Sequence, residues 1–212
     1  MSAEEFIEAW KEFLKKYDVV LLKTWTSRDD KAWIRQVIGA AKSSETDSPF
    51  GDYLMAEERI TRYRTEEWKV DFVASCSENW PDPHGWIKKR KHKFWPRTYD
   101  ILIEHENYCT TSWEEMAKLI LLRAKLKVLI TYTEDVGHTD SEKLIKQTRE
   151  QLESMLEQAW EDHSENEKTE YVLIIGQLDR NGEKARANWH ISAYNVKGEQ
   201  CASTYEDPWS PT

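Results

Sequence analysis

YDILIEHEN, residues 99–107, is the stretch on which the reading of this chain turns. Ile101, Leu102 and Ile103 spell a strand with apolar side chains on both faces, and two carboxylates, Glu104 and Glu106, close it. Side chains two apart on a strand point the same way, so Leu102, Glu104 and Glu106 share one face, and Ile101, Ile103 and His105 share the other. A face that begins with Leu and ends with two acids starts in a core and ends at an opening. Like charges side by side in such a place repel and raise one another's pKa, and a divalent cation removes that penalty. His105, on the opposite face, reads as a core residue rather than a catalyst.

Elements on either side of this strand are legible from periodicity. Upstream, Phe6, Trp10 and Leu14 recur at helical spacing over residues 3–17, and a second helix is expected over 29–42. SSETDSP, 43–49, is a loop by composition, and FGDYLMAEERITRYR, 50–64, returns to helical spacing, with Glu57 inside its inward stripe. EWKVDFVAS, 67–75, alternates as a strand carrying Lys69, Asp71 and Val73 on one face. The Pro- and Gly-rich stretch that follows opens an excursion over 76–98. Downstream, TSWEEMAKLILLRAK predicts a helix with a capping box between Ser112 and Glu115 and an apolar stripe that includes Trp113, Met116 and Ile120. KVLITYT predicts a strand buried on both sides, 141–162 a long helix, and YVLIIGQL with ANWHISAYN a hairpin around Asn-Gly. The tail from Gly198 is expected to fray. The sum is a single α/β domain, 1–212: a mixed central β-sheet flanked by helices, with N-terminal helices before it and a C-terminal β-hairpin.

Composition narrows the function classes. A chain of 212 residues is long enough for one ordinary core. Its eleven tryptophans are read as chiefly structural, because each carries a large apolar body and one donor. No stretch approaches the ~20 apolar residues of a bilayer span, and MSAEEFIEAWKEFLKKY reads as an acidic amphipathic helix, so a soluble, cytoplasmic protein is expected. Three cysteines without a C-x-x-C pair make a disulfide framework unlikely, and the spacings of Cys76, Cys109, His84 and His92 match no zinc pattern. Seven glycines and no G-x-x-x-x-G-K or G-x-G-x-x-G argue against a nucleotide-cradling loop. The net charge of −9 is uneven: WIKKRKHKFWPR, 86–97, carries six Lys or Arg and no acid, whereas 141–170 carries nine acids against four bases. A basic element on an acidic body suits a polyanion that touches one face only.

The candidate site grows from the two strands. Asp71 offers a third carboxylate, with Asp100 its rival, and Glu57 or Glu58 on the preceding helix offers a fourth. Magnesium takes one or two carboxylates, waters and substrate oxygens, so this set suits Mg²⁺ or Mn²⁺. Helix with an acid, strand with Asp71, strand with Glu104-x-Glu106, amphipathic helix, apolar strand: over residues 50–133 this order resembles the core of the PD-(D/E)XK, or restriction-endonuclease-like, nucleases. The likeness implies a restriction-endonuclease-like fold in which Asp71 and Glu104 bind metal with Glu57 or Glu58. Glu106 stands where the family has Lys, with Lys69 or Lys118 as substitutes for it. It implies a Mg²⁺-dependent DNA endonuclease, in a restriction or anti-phage setting and with a homodimer or partner subunit in view. Its alternative is an inactive module of the same fold that binds nucleic acid or a protein. Lys88, Lys89, Arg90, Lys91, Lys93 and Arg97 would then contact phosphates of DNA or RNA, while Trp86, Phe94 and Trp95 wedge or stack against bases.

Overall fold

The computed structural model describes residues 1–26, 48–67, 70–75, 99–106, 108–133, 138–162, 169–179 and 186–206. The chain is an α/β protein built on one seven-stranded mixed sheet whose spatial order follows the sequence. The strands are β1 (Arg62–Glu67), β2 (Val70–Ser75), β3 (Tyr99–Glu106), β4 (Ala124–Tyr132), β5 (Glu170–Asp179), β6 (Arg186–Tyr194) and β7 (Gln200–Glu206). β3, β4 and β5 run parallel, and every other neighbouring pair is antiparallel. Four helices flank the sheet among the described residues: α1 (Ala3–Thr26), α2 (Pro49–Ala56), α3 (Ser112–Leu121) and α4 (His138–Asp162).

Each face of the sheet has its own core. On one, Phe6, Trp10 and Phe13 of α1 and Phe50 of α2 pack on Phe72, Ile101, Ile103, Val128, Ile130 and Trp189. The rings of Trp10 and Trp189 meet edge to face with centroids 5.7 Å apart, a preferred aromatic geometry. On the other, Met116 and Leu119 of α3 and Leu152 and Leu156 of α4 cover Val73, Leu102, Leu129 and Leu173. The three parallel strands are thus covered on both sides, which explains the apolar runs of β3 and β4.

Several local expectations change. The helix expected to run to Arg64 stops at Ala56. Glu58 takes a left-handed φ of 54°, and Tyr63 is turned into a strand where its ring stacks on Phe72 at 5.4 Å. Ile60 of the expected stripe is buried, but it and the buried Tyr63 lie across a helix-to-strand turn. The single strand expected over 67–75 is divided: Glu67 ends β1, and Val70–Ser75 is the second arm of a β1–β2 pair. Ser112 does not form a capping box: its hydroxyl donates to Cys109 O at 2.7 Å, and Thr111 occupies the cap. Trp113 leaves the apolar stripe and is 44% exposed. The tail expected to fray contributes β7, paired along β6. The helix expected over 29–42 and the excursion 76–98 lie outside the described residues.

Candidate functional site

The strand register sets the site. The β2–β3 ladder runs from Ala74↔Ile101 to Phe72↔Ile103, and one step further Asp71 and Glu104 face one another on the sheet face covered by α3. At that step the His105 N–H donates to Asp71 Oδ2 at 2.8 Å, so the carboxylate takes the bond that a continuing ladder would have made. Both acids lie toward the carboxyl end of β3, the end at which open α/β sheets bind ligands.

α3 crosses above this pair. Glu115 and Lys118 stand one turn apart on it, and the Lys118 ammonium lies 3.0 Å from Glu104 Oε1 while also contacting Glu115 Oε2. Glu104 is 0% exposed, yet neither of its oxygens has a hydrogen-bond partner of ordinary geometry, so the Lys118 contact is an ion pair and not a directed bond. Burial pushes the Asp71 carboxyl up; the His105 N–H draws it back, Glu115 adds to the rise, and Lys118 and Glu104 oppose it. Burial, then the Asp71 charge, lifts Glu104 far above the ordinary carboxylate range. For Lys118, burial works against the charge, but the Glu115 and Glu104 carboxylates outweigh it and the pKa rises. The result is a desolvated acid pair with one ammonium beside it. Such a group can hold a proton or a cation between its carboxylates and can neutralise negative charge developing nearby.

The other expected residues are placed as follows. Glu57 and Glu58 are exposed at the end of α2, whose core lies on the opposite face of the sheet from Asp71 and Glu104, so they share no ion with that pair. Glu106 shares the face but stands at the strand end, accepting the Tyr108 N–H at 3.2 Å. Asp100, the rival of Asp71, is ion-paired elsewhere with Lys125 at 2.6 Å and accepts the Ser75 hydroxyl at 3.0 Å. His105 is buried with Nε2 at 2.5 Å from the Tyr132 hydroxyl, and burial lowers its pKa to about 3, so the ring is neutral. Lys69 and the basic and aromatic residues Trp86, Lys88, Lys89, Arg90, Lys91, Lys93, Phe94, Trp95 and Arg97 lie outside the described residues. Glu115 is the acid that sequence reasoning assigned to a cap. Its i,i+3 spacing to Lys118 was the available signal. Among the described residues, no group of three or more His, Cys, Asp or Glu side chains is placed to hold a metal ion. No helix among them is long and apolar enough to cross a membrane.

No family model matches the chain, and no curated protein matches it. Among solved structures, a carbon-nitrogen hydrolase from Helicobacter pylori G27 aligns over 97% of this chain and 82% of that one, at 12% identity and a TM-score of 0.35. So low a score does not assign this chain to that fold. The expected PD-(D/E)XK identity is corrected: no family model or curated protein supports it, and Glu57, Glu58 and Glu106, the acids it would bring to the metal site, stand apart from the Asp71–Glu104 pair. With it go the DNA endonuclease and the inactive module of the same superfamily.

Proposed function

We propose that Asp71, Glu104 and Lys118 form the centre of a hydrolytic enzyme that works with a divalent cation of the Mg²⁺ or Mn²⁺ class. One observation carries the reading: a carboxyl group with no exposure, whose oxygens make no hydrogen bond of ordinary geometry and whose one ionic partner is the partly exposed Lys118 ammonium, faces a second carboxylate. A buried charge left so is costly, by several kcal/mol even after relaxation. A core position needing only shape would carry Leu or Met, as its neighbours Leu102 and Leu129 do. Two carboxylates fit a cation that habitually keeps several waters.

When bound, the cation supplies Lewis acidity and a more acidic water. The chain's own residues do the rest. The His105 N–H fixes one Asp71 oxygen, Glu104 opposes it, and the Lys118 ammonium neutralises negative charge that develops on the substrate. Glu115 holds Lys118 in place through its own contact and acts as a positioning residue.

Titration with Mn²⁺ followed by electron paramagnetic resonance tests this. One site should be lost in Asp71→Asn and in Glu104→Gln and kept in Asp100→Asn and Glu57→Gln. Chromogenic carboxylic ester, amide and phosphate-ester substrates should then identify a hydrolysis that disappears with the same two variants. Binding that survives both substitutions would overturn the assignment.

A further inference from the structure

Beyond the acid pair, the register lays out the same sheet face in rows. Asp71, Glu104, Leu129, Leu173 and Ser192 form one row; Glu106, Thr131, Ile175 and His190 form the next toward the carboxyl ends of the parallel strands. Gln177 and Asn188 pair one row further on. Where Leu129 and Leu173 make the first row apolar at its centre, the outer rows, Ile175 apart, are polar and still covered: Thr131 is 0% exposed, Gln177 3% and Asn188 6%. The helix above changes in step. α4 buries Leu152 and Leu156 over the apolar part, and Thr148 and Ser141 with Ile145 between them further toward its N-terminus. His190 lies close enough to Gln177 for a 3.3 Å contact and feels the charge of Arg149 on α4.

Within this polar seam the Thr131 hydroxyl stands out. It is wholly buried and has no hydrogen-bond partner, one strand over from Glu106 and one row from Glu104. A β-branched strand position with an apolar role takes Val at no cost in shape, whereas an orphaned buried hydroxyl carries a desolvation penalty. Buried polar atoms without a protein partner mark an ordered water or a ligand.

We propose that Thr131 is a substrate-contacting residue whose hydroxyl donates to an oxyanion oxygen, of the phosphate or carboxylate kind, presented to the acid pair. It rests on the hydrolytic reading of Asp71, Glu104 and Lys118. With a cation held by the carboxylates that centre draws negative oxygens, and the hydroxyl lies on the same sheet face one row from Glu104, so toward such an oxygen it donates. The proposal assigns the polar seam to substrate recognition and leaves cation binding to the carboxylates.

Orthophosphate and acetate, each titrated into the Mn²⁺-loaded protein and into the cation-free protein, are the probes. Thr131→Val should weaken binding of the preferred oxyanion about ten- to a hundredfold, the loss expected for one hydrogen bond to a charged acceptor, and Thr131→Ser should restore most of it. Mn²⁺ affinity should be the same in both variants, and Thr131→Val should be as stable as the wild type or more so without ligand. Equal oxyanion binding in wild type and Thr131→Val, or no oxyanion binding by wild type, overturns the proposal. If wild type takes no Mn²⁺ but Thr131→Val still loses the oxyanion, the hydrolytic reading fails while the Thr131 contact stands.

Discussion

Replacing Glu104 by Gln should make the cation-free protein more stable while abolishing its response to cations. The amide keeps the shape of the side chain and cannot ionise. Burial and the Asp71 charge push the Glu104 carboxyl up to about 9, so the comparison applies above that pH, where the carboxyl is charged, and below it the two cation-free proteins should differ little. Directly opposed residues on paired strands have Cβ atoms about 5 Å apart, and at an effective dielectric of about 20 two like charges at that distance repel by roughly 3 kcal/mol. Against this stands the attraction of Lys118, 3.0 Å away; at the same dielectric it is worth about 5 kcal/mol. That figure must be cut by at least half, because the lysine is 40% exposed and also contacts Glu115. Charge repulsion and the surviving attraction therefore nearly cancel, and the desolvation of a buried carboxylate tips the balance. A net gain of about 1–2 kcal/mol follows, or roughly 3–6 °C in Tm for a chain of this length. Scanning calorimetry of both proteins, with and without Mn²⁺, measures it. Wild type should gain about 2.7 kcal/mol when the cation is a hundredfold above its Kd, and Glu104→Gln should gain nothing. A variant less stable than wild type that still responds to Mn²⁺ would show Glu104 to be a structural ion-pair residue and refute the reasoning.

Other consequences can be measured independently. Tyr132→Phe strips the buried His105 ring of its 2.5 Å partner and should cost about 1–3 kcal/mol in urea unfolding. Gly51→Ala would place a Cβ 2.8 Å from the Tyr63 ring, and the overpacking should cost about 1–3 kcal/mol, read as a lower denaturation midpoint. Burial, with Arg149, lowers the pKa of His190 from 6.5 to about 4. The unfolded chain then binds a proton that the fold refuses, so stability should fall as pH drops from 6.5 to about 4. The partly solvated ring limits the loss to roughly 1–2 kcal/mol. His190→Asn should flatten that slope, and an unchanged slope would mean that burial and the Arg149 charge do not hold the ring neutral.

Strong periodic signals translated directly into elements. β3, the apolar β4 and the α4 helix stand where alternation and helical spacing put them, because each buries a face that its own sequence marks. Boundaries that depend on distant partners were not legible. Ile60 and Tyr63 fit a helical stripe equally well, and only the Phe72 ring across β1–β2 selects the strand. β7 is too polar to be marked as a strand by its own residues and exists because β6 offers it an edge. In the site, alternation on β3 separated Glu104 from His105. It could not separate Glu104 from Glu106, which share a face and differ in whether α3 covers them. Nor could it choose Asp71 over Asp100, a choice made by Lys125 and Ser75.

The sequence by itself determined a two-sided sheet with an acid-tipped strand at its centre, since face alternation is a local property of the extended chain. Only the tertiary structure decided which charges meet. The β2–β3 register brings Asp71 to Glu104, the placement of α3 brings Lys118 and Glu115 to them, and the opposite placement of α2 keeps Glu57 and Glu58 away. Electrostatic coupling falls off with distance through a medium whose dielectric depends on burial, and both quantities are set by packing between segments far apart in the chain.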